Sequence, residues 1–179
     1  NAKSAINLSL ISTKTSLSSV DSLLGIDQSN SPATEYKNYL GATDASTRIN
    51  AENAYRDTKT ALAIAETTYQ NVLATWKDTE ADDILKKTET ALLDAKLMLS
   101  STYNMLNHTI NVGTLTQTIL DGNKNTIAPN QTSNANNLNA VQSIIQSITN
   151  AKLGITSTDI STSSAVDNAK AAMDTAQNN

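Results

Sequence analysis

A lone histidine, His108, is the one imidazole in the chain, and the chemistry open to it is metal ligation or general-base work. Either role needs carboxylate, imidazole or thiolate partners at helical spacing. Positions 104 and 112 are Asn and Val, so His108 reads as a surface or half-buried side chain without a catalytic role. Glu80, Asp82 and Asp83 gather carboxylates of the kind that bind Ca²⁺. They lack the alternating D-x-[DN]-x-[DN]-G ligand order, and complementing the positive end of a helix accounts for them better. Tyr55, Tyr69 and Trp76 form an aromatic stripe at a spacing that more often builds a core than a ligand-stacking row. Trp76 differs, because the apolar pattern runs out there; it is expected to be the least-buried apolar residue, free to meet a partner with Lys77 and Asp78 beside it. There is no G-x-S-x-G, no Gly-rich phosphate loop, no paired-carboxylate motif and no Cys. The expectation is a chain that is not an enzyme and uses no cofactor or metal.

The elements that position these residues are helices with a heptad count. Ala51, Tyr55, Thr58, Leu62, Ala65, Tyr69, Val72 and Trp76 alternate steps of four and three, which makes one seam. A second runs through Leu85, Thr88, Leu92, Ala95, Leu99, Thr102, Leu106 and Thr109, with Ile84, Ala91, Met98 and Met105 in the adjoining column. The two are expected to fold into an αα-hairpin, Ser46–Lys77 against Thr79–Asn111, with Asp44 or Ser46 capping the first arm and Thr79 the second. Arms of about 30 residues would each span roughly 45 Å. A third seam, Ile6, Leu10, Thr13, Leu17, Val20 and Leu24, ends at Gly25, a residue suited to the left-handed C′ position. Residues 26–43 read as a loop with one or two helical turns. After Val112 and Gly113, two helical turns around Leu115, Ile119 and Leu120 are expected, then an Asn-rich flexible loop from Gly122 to Asn137. A fourth seam begins at Leu138, Val141, Ile145 and Ile148 and carries through Ile155, Val166 and Met173. The β-branched, Ser-rich run Ile155–Ser164 is poor helix material. Two helices, 134–152 and 159–177, broken near Gly154, are therefore expected, and the chain would make four or five passes.

Composition narrows the class. In 179 residues the hydrophobic content is 39%, the aromatic content 3% and Phe is absent, so the core is thin and suits narrow helix seams more than a sheet-backed interior. Five Gly and two Pro are too few for an all-β design. The fold expected is all-α, an elongated antiparallel helical bundle built on a long central coiled-coil-like hairpin, with residues 1–179 as one helical domain. The net charge of −4 comes with no basic run, which argues against nucleic acid as a partner. The lack of Cys and the abundance of Asn, Ser and Thr on helix faces point to an extracytoplasmic bacterial protein, periplasmic or cell-surface. No apolar stretch is long enough to span a membrane and no leader pattern precedes Asn1. A fragment or processed form of a longer, membrane-anchored envelope protein is the expectation.

The stretches Ala51-Glu52-Asn53-Ala54-Tyr55, Ala61-Leu62-Ala63-Ile64-Ala65-Glu66 and Thr90-Ala91-Leu92-Leu93-Asp94-Ala95-Lys96 resemble the helical hairpin of membrane-fusion proteins, the periplasmic adaptors of bacterial secretion (haemolysin-secretion type) and efflux systems. The closing run Ala165 to Asn178 resembles the returning helix of that hairpin. The resemblance covers about half the chain. It implies a helical insertion between two halves of a lipoyl-like module, docking end-on with an outer-membrane duct. The Arg-Leu-x-x-Asp tip motif is missing at Trp76 to Glu80 and no lipoyl halves are present, so no binding residues carry over. The function expected is a non-enzymatic spacer and docking domain with protein partners in the envelope, and self-association is left open. The alternatives are a four-helix sensory ectodomain of a chemoreceptor or sensor kinase, which would sit between two membrane spans, or a surface adhesin rod.

Overall fold

In a computed structural model the chain is described at residues 2–27, 36–73, 76 and 78–177, without side chains at 78, 79 and 175–177. It divides into two compact units, Asn1–Gln142 and Ser143–Asn179. The described residues form helix α1 (Ala2–Leu24), a 3₁₀ turn (Lys37–Tyr39), α2 (Ala45–Leu73), α3 (Asp78–Asn107) and α4 (Gln117–Gln177). The architecture is all-α, as the heptad count predicts.

In the first unit every member of the three seams from Ile6 to Leu106 is buried except Trp76, which is half-buried. Burial of Thr at these narrow positions needs an internal partner for its hydroxyl. Thr58 Oγ1 donates to the Ala54 carbonyl at 2.7 Å and Thr88 Oγ1 to the Ile84 carbonyl at 2.8 Å, each on its own helix one turn back. The Thr13, Ser16 and Thr102 hydroxyl oxygens are buried without such a bond. The apolar layers around them, Leu10, Leu17, Leu99 and Leu106, supply the burial.

The helix boundaries have local causes. α1 stops at Gly25, whose φ of 60° and amide bond to the Asp21 carbonyl (2.7 Å) make the expected C-terminal stop. Asp44 caps α2, its Oδ1 accepting from the Ser46 amide at 3.0 Å and the Ser46 hydroxyl at 2.7 Å. α3 starts at Asp78, one residue before the expected cap Thr79, whose side chain lies outside the described set. Ahead of α2, Gly41 adopts φ 66°, and a Cβ there would lie 2.6 Å from Thr47 Oγ1. Residues 113–114 turn the chain between bridge partners Val112 and Leu115, with Gly113 at φ 51°.

α2 and α3 pack along each other antiparallel: Thr43, just before α2, donates its amide hydrogen to the carbonyl of His108, just after α3, at 3.0 Å. α1 lies antiparallel to α2, since the Lys3 carbonyl accepts from Tyr69 Oη at 3.4 Å while Asp27 reaches Tyr55 and Lys59. Residues 117–142 of α4 complete the first unit. Asn130 Nδ2 donates to Ser19 Oγ at 3.3 Å, Ser133 meets Ser12 at 3.1 Å, and Gln142 Nε2 donates to Glu89 Oε1 at 2.9 Å.

Two sequence expectations fail here. The segment 122–137 is helix and not an Asn-rich loop, and the turns begun at Leu115 to Leu120 do not end at Gly122. Leu120, Ile127, Asn134, Leu138 and Val141 are buried at steps of seven, seven, four and three, so a seam runs through the Asn-rich stretch. Two of its amides bond outward or one turn back: Asn134 Nδ2 to the Leu92 carbonyl at 3.0 Å, Asn130 Nδ2 to the Thr126 carbonyl at 3.0 Å. They do not turn their own backbone. Pro129 sits inside this helix on an exposed position.

The second failed expectation is the break near Gly154, since α4 is continuous to Gln177 and the described helices number four. In the second unit the hydroxyls of Thr156, Thr158, Ser161 and Thr162 each donate to the carbonyl four residues back, at 2.9 to 3.1 Å. Each of these hydroxyls is thus satisfied on its own helix. Every residue from 149 to 174 is exposed.

Candidate functional site

Trp76 closes α2. Its amide bonds the Val72 carbonyl at 2.8 Å, and its φ of 38° is left-handed, an uncommon conformation for a bulky residue. The Lys3 ammonium lies 4.6 Å from the centre of its ring, a cation–π pair. Leu97 and Leu153 stand 58% and 64% exposed. Trp76 is therefore not the least-buried apolar residue. The turn that holds it sits at the end of the first unit where α1 begins. Lys77 and the Asp78 side chain, the other expected contacts, lie outside the described residues.

His108 is half-buried and has a structural place at the opposite end. Its Nδ1 lies 3.1 Å from Thr43 Oγ1, its carbonyl accepts from the Thr43 amide and hydroxyl, and the Gly41 amide donates to Thr109 Oγ1 at 3.1 Å. Ile110 N bonds the Tyr39 carbonyl at 3.4 Å. These bonds fix the 39–43 loop on the end of α3, with Tyr39 and Ile110 exposed on it. Asp83 pairs with Lys87 at 2.7 Å. Among the described residues no group of three or more His, Cys, Asp or Glu side chains is placed to hold a metal, and no helix is long and apolar enough to cross a membrane.

Tyr55 and Tyr69 lie in the core, as their spacing suggests. Tyr55 Oη also donates to Asp27 Oδ2 at 2.7 Å, and Lys59 Nζ meets the same oxygen at 2.6 Å. Asp21 Oδ1 in turn accepts the amides of Ile26 and Asp27. The Lys59 and Tyr55 hydrogen bonds hold the Asp27 carboxyl below its ordinary range, and burial, reinforced by Asp27, pushes the Tyr55 hydroxyl far upward. Asp27 was not legible as a partner: it lies in a loop, 28 residues from Tyr55.

A groove of about 440 Å³ lies between α2 and α3. Thr60, Ala61 and Thr90 form its middle, Ile64 and Lys87 one end, and Asp57 and Asp94 the other. Burial first, and Asp57 second, raise the Asp94 carboxyl above its usual range. Small and apolar side chains between charged ends suit the groove to receiving an apolar side chain flanked by charge. Comparison with protein-family models, curated proteins and solved structures gave no match.

Proposed function

We propose that this chain is a non-enzymatic helical spacer and docking domain of a bacterial membrane-fusion protein, an extracytoplasmic secretion or efflux adaptor whose full-length form is membrane-anchored. The observation that carries this reading is the antiparallel α2–α3 pair, whose heptad positions from Ala51 to Val72 and from Leu85 to Leu106 are all buried. We read the pair as a coiled-coil-like hairpin in an elongated bundle. Seams interlocked over about eight turns resist bending, so such a body transmits position.

Within this reading the chain path of the first unit supports a docking end away from Trp76. α1 begins beside Trp76, so a body anchored through that end carries its Trp76 turn near the anchor. The loops 39–43 and 108–115, pinned together and presenting Tyr39 and Ile110, lie at the other end and are the better docking surface. Tyr39→Ser with Ile110→Ser should weaken assembly with an envelope duct more than Trp76→Ala does.

The four-helix packing of α1, α2, α3 and residues 117–142 favours a second reading, a sensory ectodomain. Sequence flanking the chain in its gene separates the two. Lipoyl-like β halves on both sides support the adaptor, and two hydrophobic spans would overturn it. A thermal-shift screen of amino acids, organic acids and sugars gives an independent check, because a sensor gains stability from its ligand by mass action.

A further inference from the structure

The second unit is a helix with every residue from 149 to 174 in solvent, including Leu153, Ile155, Ile160, Val166 and Met173. Isolated helices owe little stability to propensity alone and most of it to packing of an apolar face. Its heptad positions put Lys152 and Asp159 in the seam, seven residues apart, with Ile155 between them. The α2–α3 groove carries the opposite order, with Asp94 and Lys87 also seven residues apart on α3 and Thr90 between them.

We propose that the groove is the docking site for the 148–159 seam of a second copy of this chain. Seven helical residues rise about 10.5 Å. A helix laid antiparallel to α3 therefore brings Lys152 to Asp94 and Asp159 to Lys87, whose ammonium also meets Asp83 on its own helix, in a single register. In that register Ile155 enters the middle of the groove, where Thr60, Ala61 and Thr90 are small enough to admit it. Ile148, four residues before Lys152, reaches the exposed Leu97, three residues beyond Asp94. The reverse direction sets Lys152 on Lys87 when Asp159 meets Asp94, and like charges oppose it. Parallel pairing of two seams is disfavoured for the same reason, since it stacks Lys152 on Lys152. Because groove and seam are different surfaces, the contact is heterologous, and repeated use builds a ring or an open chain of copies. This goes beyond the adaptor reading and does not depend on it.

Sedimentation velocity of the full chain over a concentration series tests the proposal. The wild type should associate. Asp94→Lys and Lys152→Asp should each weaken association by roughly tenfold or more, with circular dichroism unchanged. An equimolar mixture of the two variants should recover association, since each variant's seam then meets a groove of opposite charge on the other. The combined charge swap Asp94→Lys/Lys152→Asp should recover association. The chain has no Cys, so Thr90→Cys in one chain and Ile155→Cys in another should form an intermolecular disulfide. A wild type that stays monomeric, an Asp94→Lys variant that associates like wild type, or a disulfide formed within one doubly substituted chain would overturn the proposal.

Discussion

Tyr55 and Lys59, one helical turn apart on α2, both donate to a single oxygen, Asp27 Oδ2, at 2.7 and 2.6 Å. The pair ties the loop after α1 to the middle of α2. Tyr55→Phe keeps the buried ring and removes the hydrogen bond, and should cost about 1 kcal/mol in urea unfolding.

The same constellation gives a pH dependence with a definite sign. Asp27 has a lowered pKa in the folded state, so its contribution is present above the ordinary value of 3.8 and is lost as pH falls through the folded value. Tyr55 has a raised one, so its contribution is present below 10 and is lost as pH rises beyond it. Asp27→Asn should flatten the acid-side fall in melting temperature. Tyr55→Phe should flatten the alkaline one. Unchanged slopes in both variants would show that the contact does not persist in solution.

Within the hairpin seam, large and small residues should differ sharply. Leu62 and Leu92 are buried, and truncating either to Ala should cost about 2–5 kcal/mol. Thr58→Ala removes a hydroxyl already paired to its own helix and leaves no unpaired donor, so it should cost about 1 kcal/mol or less. Equal thermal shifts for the two kinds of variant would contradict the packing.

Much of this core was legible because Ala51 to Val72 and Leu85 to Leu106 carry the heptad through apolar and small residues alike. What misled was residues 122–137, where Asn dominates and local propensity argues for turns. Ile127, Leu138 and Val141 were the recoverable signal, eleven apart and then three, but Asn134 occupies the layer between them. A polar residue in a seam is hidden from an apolar count. The break expected near Gly154 failed in a run whose hydroxyls find their partners one turn back on the helix itself, a local arrangement that average propensities do not display. Asp27 could not be found because nothing local marks a loop carboxylate as the partner of a core tyrosine. No chemistry was readable at the α2–α3 groove, whose members are charged and small residues spread over two helices.

Asn134 is 1% exposed, donates to the Leu92 carbonyl, and leaves its own Oδ1 without a partner. Asn134→Leu should stabilise the first unit by about 1 kcal/mol, since it replaces an unpaired buried acceptor with apolar surface. It should also loosen the register of α4, because a polar group in a seam favours one alignment. Hydrogen exchange along residues 120–141 reads both effects, and a fall in stability would mean that the amide bond outweighs the orphan oxygen.

Gly41 and Gly113 are both left-handed but differ in surroundings. A methyl at Gly113 meets nothing within 4 Å, so Gly113→Ala should cost the roughly 1–2 kcal/mol of the backbone conformation alone. At Gly41 the methyl would strike Thr47 Oγ1 at 2.6 Å and approach the Arg48 amide at 3.3 Å. Gly41→Ala should cost more than Gly113→Ala, and the reverse order in urea midpoints would place the α2 entry differently.

The backward hydroxyl bonds of α4 alter how water meets its surface. A threonine whose Oγ1 is turned to its own backbone, as at Thr149, Thr156, Thr158 and Thr162, shows the solvent chiefly its γ-methyl. The second unit is in this sense less wettable than its letters imply, and a hydropathy sum that scores each Thr by its hydroxyl underrates it. On a hydrophobic-interaction column it should be retained longer than a helix of equal length in which Ser replaces Thr.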